Sequence, residues 1–173
     1  IARLVKKGYK VAICEQMENP ALAKGVVKRE VVRVVTPGTV IENSMLDEAS
    51  NNFICCAYLD TYACGLSFAD ISTGEVYVTE LSTDEVEYKI MNESSRFSPS
   101  EVVANHTLAE KKQVIQFFKD KLNCMYDVLD DGYFEEESCK TRATSQFADT
   151  DLEKLGLFEK KAALKSLGGL IRY

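Results

Sequence analysis

The middle of the chain consists of short apolar runs separated by turn residues, which is the pattern of β-strands. We predict strands over residues 53–59, 64–71 and 75–81, joined by turns at 60–62 and 72–74. The second turn ends in a glycine, which can adopt the positive φ that tight hairpins require. Three consecutive strands with short turns predict an antiparallel meander.

Apolar spacing changes to a helical period after this meander. Ser82 and Glu85 have the spacing of a capping box, which predicts a helix beginning there. Val114, Phe118 and Leu122 recur every four residues and predict a helix over 108–122. The further predicted elements are strands at 101–104 and 124–129, a short helix from an N-cap at Ser138 to about 148, and helices at 152–155 and 160–171. The order βββαβαβ followed by helices predicts an α/β fold with a mixed sheet covered by helices.

The first 38 residues have a different character, predicting a partial α+β segment with one helix and two strands. The helix covers 1–7, the strands cover 9–14 and 28–35, and Asn19–Ala21 resembles a further helix start. One helix and two strands cannot bury a core alone, so we expect this segment to need chain upstream of it or a neighbour. Its free strand edges could also pair with a second copy of the chain. Residues 39–51 are polar and predict a linker into a second domain at 52–173.

Composition narrows the class of protein. Hydrophobic residues make up 46% and charged residues 28% of the 173 residues, as in globular proteins. No apolar run approaches the roughly 20 residues of a membrane span. The chain begins without Met and inside a helical pattern, so we expect a piece of a longer protein. Six cysteines accompany one histidine without a Cys-x-x-Cys pair, which argues against zinc and favours buried thiols in a reducing cytosol.

Charge is divided unevenly along the chain. Residues 1–35 hold eight Lys or Arg and three Glu, a net charge of +5, which leaves −11 for the remainder of a chain whose total is −6. Proteins that contact DNA phosphates need basic surface. The DNA-backbone candidates are Lys24, Lys28, Arg29 and Arg33. The alternative, solvation or ion pairing with the acidic remainder, is equally compatible with this pattern.

Residues 8–39 carry a long motif, read as GYKVAICEQ, then NPA, then KGVVKREVVRVVTPGT. This run resembles the end of the N-terminal domain in the MutS family of bacterial DNA mismatch repair proteins, with Asn19 where the family usually has Asp. GLSFADISTGE at 65–75 resembles a hairpin of that family's connector domain, and SPSEV at 98–102 resembles the step into its fourth strand.

The resemblance implies an RNase H-like connector domain. In the family, the full-length protein is a dimer that clamps mispaired DNA and couples this to ATP and Mg²⁺, while the connector joins the mismatch-binding domain to the core and offers a surface to MutL. The family's Phe-x-Glu wedge lies upstream of the region that this chain resembles, and no G-x-x-x-x-G-K-[ST] loop occurs in this sequence. We therefore expect a cytoplasmic, non-enzymatic chain without its own cofactor. A stand-alone relative lacking the ATPase is a further alternative.

A metal-dependent nuclease is the alternative from another class, since two-metal cleavage needs converging carboxylates. Asp60, Asp70, Glu87 and Glu93 are available, but the fourth strand has no aspartate at its centre. We expect no metal site and expect Asp70 to set the hairpin through hydrogen bonds to backbone.

The predicted helix after Ser138 supplies a candidate partner surface for MutL. The partner-surface candidates are Thr141, Arg142 and Gln146. A plain solvated helix face is the favoured alternative reading of this polar stretch. The lone His106, at the end of a strand, is expected to be an ordinary surface or capping residue.

Overall fold

Two separate β-sheets organise the described part of the chain in the computed structural model, which describes residues 1–19, 25–42, 45–46 and 50–173. The strands are β1 Val11–Gln16, β2 Arg29–Val35, β3 Phe53–Leu59, β4 Ala63–Asp70, β5 Glu75–Ser82, β6 Glu101–Ala104 and β7 Met125–Val128. The helices are α1 Ala2–Val5, α2 Val86–Phe97, α3 His106–Ala109, α4 Lys112–Asp120, α5 Glu136–Gln146 and α6 Lys161–Arg172, with 3₁₀ turns at Pro37–Thr39, Asp131–Tyr133 and Leu157–Glu159.

The larger sheet has the strand order β5-β4-β3-β6-β7. The first three strands along the chain pair antiparallel, and β6 and β7 then add parallel to β3. The prediction of an α/β fold with a mixed sheet is therefore confirmed. We call residues 52–173, which contain this sheet, the five-stranded unit.

Helices cover both faces of this sheet. On one face, Ile90 of α2 and Phe118 of α4 pack with Phe68 of β4, all almost fully buried. On the other face, α5 and α6 supply a second set of buried apolar residues, including Leu164 and Leu167. A strand covered on both faces is apolar throughout rather than alternating, which is why β3 reads as a continuous apolar run.

The N-terminal segment is our name for residues 1–42. Its described residues form one short helix, two paired strands and a 3₁₀ turn. Strands β1 and β2 pair antiparallel with an irregularity between Ile13 and Cys14, and most of their residues are exposed. Val5, Val35 and Val40 make the small buried cluster. Pro20 and Ala21, part of the predicted helix start, lie outside the described residues, as does Lys24.

Two predicted helix starts are wrong. Ser82 ends β5 instead of capping α2, and its hydroxyl accepts a hydrogen bond from Lys89 Nζ at 2.6 Å. Residue Glu85 stands at the start of α2 with φ 50 and no side-chain cap. The N-cap of α5 is Glu135, not Ser138, because the Glu135 carboxylate accepts from the backbone N–H groups of Glu137 and Ser138.

Helix boundaries elsewhere also differ from the prediction. The predicted helix over 108–122 is two helices, because the Asn105 side chain accepts from the Leu108 amide and starts α3 early. Lys111 then leaves the helical conformation before α4. Residues 152–155 form turns rather than a helix. His106, the first residue of α3, is exposed, as expected.

All six cysteines are free thiols. Five are buried as predicted, whereas Cys14 is exposed because β1 has little covering it. Burial raises the pKa of the Cys64 thiol to about 12, so this thiol stays protonated near neutral pH. None of the helices in the described ranges has the length and apolar character needed to cross a membrane.

Candidate junction between the N-terminal segment and the five-stranded unit

Glu101, the first residue of β6, is a carboxylate with 0% exposure. It lies beside Ile54 of the central strand β3. Its Oε2 accepts hydrogen bonds from the Gly38 amide at 2.8 Å and from the Thr36 hydroxyl, and its Oε1 accepts from the Tyr173 hydroxyl at 2.6 Å. A buried carboxylate is costly unless it is hydrogen-bonded, and these three donors supply that compensation.

The turn that reaches Glu101 is the 3₁₀ turn at Pro37–Thr39. It is closed locally, since the Thr36 amide donates to Thr39 Oγ1 at 2.9 Å and the two threonine hydroxyls are 2.8 Å apart. A Cβ on Gly38 would lie 2.8 Å from Ile54 Cβ and 2.9 Å from Glu101 Cβ. Only glycine therefore permits this close approach of the turn to the sheet.

Tyr173, which follows α6, completes the group by donating to the other carboxylate oxygen, Oε1. Burial raises the pKa of Tyr173, and the adjacent Glu101 carboxylate raises it further. The hydroxyl therefore remains protonated and acts as the hydrogen-bond donor. We call Thr36, Gly38, Glu101 and Tyr173 the Glu101 junction.

Three further contacts join the same regions. Lys10 of the N-terminal segment lies 2.5 Å from Asp127 of β7, and its ammonium lies 5.2 Å from the centre of the Tyr173 ring. The Asn52 side-chain amide donates to the Pro37 carbonyl at 2.9 Å. The N-terminal segment is thus held by both buried and exposed contacts.

Two of the basic residues predicted to contact DNA form ion pairs with acidic residues nearby in the sequence. Lys28 pairs with Glu30 at 2.6 Å, and Arg33 pairs with Glu42 at 2.7 Å. Arg29 is exposed on β2. Where the structure describes both partners, the ion pair that links the two regions is instead Lys10–Asp127.

The partner-surface candidates on α5 have unequal exposure. Thr141 and Gln146 are exposed, and the Thr141 hydroxyl donates to the Glu137 carbonyl at 2.9 Å. Arg142 is half-buried, and its guanidinium donates to the carbonyls of Tyr133 at 3.1 Å and Gly168 at 2.5 Å. Its charged end therefore ties α5 to α6, so Arg142 presents less free surface than its two neighbours.

Asp70 sets the β4–β5 hairpin, as predicted. Its Oδ1 accepts from the backbone amide and the hydroxyl of Ser72 at 2.9 and 2.6 Å. Its Oδ2 accepts from the backbone amide of Asn52 at 3.0 Å. Burial raises the pKa of Asp70, but these hydrogen bonds outweigh burial and hold the pKa below its ordinary value. Across the described ranges, no three His, Cys, Asp or Glu side chains are grouped to hold a metal ion, and nothing supports the nuclease alternative.

Sequence reasoning missed the Glu101 junction. The available signal was a glutamate inside the apolar strand Glu101–Ala104, where a charged residue is rarely buried without partners. The partners themselves lie 65 and 72 residues away in sequence. The Glu101 junction joins two of the sequence motifs, TPGT at residues 36–39 and SPSEV at residues 98–102.

Comparison with known proteins covers the whole chain. Residues 52–173 match the family described as MutS domain II, and residues 1–44 match MutS domain I. The chain is 41% identical to the DNA mismatch repair protein MutS of Caldanaerobacter subterraneus over 173 residues, and 38% identical to that of Alkaliphilus oremlandii over 177 residues. The one of Methanococcoides burtonii is 38% identical over 173 residues. These alignments cover 100% of this chain but only 19–20% of the relatives, so the chain spans about a fifth of their length.

Proposed function

The chain belongs to the MutS family of DNA mismatch repair proteins, and from that premise we propose that it joins a mismatch-binding domain to the rest of a MutS protein. Residues 1–38 are the end of the mismatch-recognition domain, 39–51 the linker and 52–173 the connector. The observation that carries this proposal is the Glu101 junction, where a turn from the first region is seated against the central sheet of the second.

An RNase H-like fold for the connector is supported by strand order. Three antiparallel strands come first, and two parallel strands then add beside the first of them, giving the order β5-β4-β3-β6-β7 with helices on both faces. In this proposal the connector has no catalytic role, and its carboxylates at Asp60 and Asp70 serve turns.

The activities of the whole protein are also part of the proposal. It acts in the cytoplasm as a dimer that clamps mispaired double-stranded DNA in an ATP-dependent cycle, with ATP and Mg²⁺ bound by regions outside this sequence. MutL contacts the connector. The family's description as DNA mismatch repair proteins supports this assignment.

The joining role is tested by Gly38→Ala in a MutS protein that contains this chain. The added Cβ overlaps atoms of Ile54 and Glu101, so the turn must move away from the sheet. We expect ATP-triggered release from mismatched DNA to slow, while ATP hydrolysis without DNA is unchanged. Gly132→Ala is the matched control, because its Cβ would have no contact closer than 3.8 Å. Unchanged release kinetics in the Gly38→Ala protein would refute the joining role.

The basic residues are proposed to contact the DNA backbone, which positions a protein without reading sequence. Support comes from the net charge of +5 in residues 1–35. Replacing both Lys28 and Arg29 by Ala should weaken binding to matched and mismatched duplexes equally and reduce the salt dependence of affinity by about one unit of slope per lost contact. Lys140→Ala on α5 is the control. An unchanged salt slope would remove these residues from the DNA interface.

The proposed MutL surface on α5 is tested with its two exposed members, Thr141 and Gln146. Replacing both by Ala should reduce capture of the protein by immobilised MutL and leave thermal stability unchanged. Arg142 is less suitable, because its substitution also removes hydrogen bonds to the carbonyls of Tyr133 and Gly168. Full capture of the double variant would exclude this helix as the contact surface.

A further inference from the structure

Glu101 receives its hydrogen bonds from two parts of the chain that are distant in sequence. One carboxylate oxygen is held by the 36–39 turn and the other by Tyr173 at the end of α6. The seven ion pairs between described residues do not include Glu101, so neutral hydroxyls and a backbone amide stabilise its charge. Each donor therefore carries a large share of the compensation.

We infer that Glu101 is a positioning residue that couples the 36–39 turn to the end of α6, so that loosening one contact loosens the other. This inference rests on the proposed joining function and deepens it by naming the group that transmits a displacement of the N-terminal segment to the end of α6. A displacement of the turn would pass through the Glu101 carboxylate to Tyr173, which follows α6.

The physical basis is the shared carboxylate. With 0% exposure it has no access to bulk water, so a lost donor cannot be replaced without moving the side chain. Movement that regains water for one oxygen also misaligns the other oxygen with its own donors. Hydrogen bonds in such buried networks strengthen one another, so the loss of one donor weakens the remaining hydrogen bonds.

The neighbouring surface contact does not provide the same coupling. Lys10 and Asp127 have side-chain exposures of 39% and 44%, and exposed ion pairs contribute little to stability in water. Lys10 also lies over the ring of Tyr173 rather than at its hydroxyl. Removing the Tyr173 hydroxyl while retaining the ring therefore keeps the Lys10 contact and removes only the interactions of the hydroxyl with Glu101 and Thr36.

The test measures hydrogen exchange of an amide in the 36–39 turn after a substitution at Tyr173. The Gly38 amide donates to Glu101, so its hydrogen exchange in this 173-residue chain, relative to the Val103 amide within β6, reports opening of the turn. We expect Tyr173→Phe to accelerate Gly38 exchange roughly ten-fold relative to Val103, the effect of losing about one charge-assisted hydrogen bond. Where exchange is too fast to time, the Gly38 amide proton shift should move upfield.

Tyr58→Phe is the matched control. It removes a tyrosine hydroxyl that accepts from Lys165 of α6 at 3.3 Å and does not contact the turn. We expect it to leave the Gly38 amide unchanged. At the turn, Thr36→Val should reproduce the effect of Tyr173→Phe, and Thr36→Ser, which keeps the hydroxyl, should restore the ordinary exchange rate.

The inference is overturned if Tyr173→Phe changes Gly38 exchange by less than two-fold and leaves its amide shift unchanged while Thr36→Val alters both. The turn and the helix would then contact Glu101 independently. This result is separate from the test of joining, because release kinetics can respond to Gly38→Ala even when Tyr173 has no influence on the turn.

Discussion

The N-terminal segment and the five-stranded unit differ in how much of each is buried in an apolar core. In the five-stranded unit, β3 is buried on both faces and its core residues are closed off from water. In the N-terminal segment, β1 has no fully buried residue and Val31, Val32 and Val34 are about half exposed. The position of the N-terminal segment therefore depends on specific polar contacts, whereas the five-stranded unit is stabilised by its own apolar core.

The largest expected difference in the free energy of unfolding is between substitutions of an apolar residue in each region. Phe118→Ala should lower the free energy of unfolding by about 3–5 kcal/mol, because it leaves a cavity in the core. Val31→Ala should change it by no more than about 0.5 kcal/mol, since Val31 is 56% exposed. Urea denaturation of this chain measures both. Similar losses for the two variants would contradict the distinction.

The next effect concerns the tight contact between the sheet and α6. A Cβ on Gly65 would lie 1.9 Å from the Ala162 carbonyl oxygen, which is backbone and cannot rotate away. Gly65→Ala should therefore destabilise the five-stranded unit by about 3 kcal/mol through overpacking. A melting temperature equal to that of the unaltered chain would show that α6 shifts freely, and would contradict the tight packing of α6 against β4.

A smaller, pH-dependent effect is expected at the Asp70 hairpin. Asp70→Asn should lower stability near pH 7 by about 1–3 kcal/mol, because a buried carboxylate loses favourable hydrogen bonds. The folded pKa of Asp70 lies below its ordinary value of 3.8, so its contribution is complete above that value and declines as the pH falls through the lower folded pKa. Stability curves of the two proteins should therefore converge in strong acid, and a constant gap down to pH 1.5 would contradict this.

The smallest effect is expected at the exposed contact between the two regions. Lys10→Met should lower stability by less than about 1 kcal/mol, and this difference should shrink further in 1 M salt. Thermal denaturation at low and high salt provides the measurement. A large, salt-independent loss would mean that Lys10, rather than the Glu101 junction, positions the N-terminal segment.

Strands were easier to predict from the sequence than helix boundaries. The strands Phe53–Leu59 and Glu101–Ala104 lie where their apolar runs predict, because burial on both faces selects continuous apolar sequence. The caps at Ser82 and Ser138 were wrong, because capping depends on where the chain leaves the preceding element. At α5 a glutamate, Glu135, accepts the free amides instead of the nearby serine.

The sequence by itself determined the class of fold, the opposite charges of the two regions and, through residues 8–39, the family. These properties reside in local pattern and composition, which folding does not change. Only the tertiary structure decided that Glu101, Thr36, Gly38 and Tyr173 meet, and that the Arg142 guanidinium donates to the backbone carbonyls of Tyr133 and Gly168. The reason is that burial and hydrogen-bond pairing between residues distant in sequence depend on how the sheet and helices pack, which no local pattern encodes.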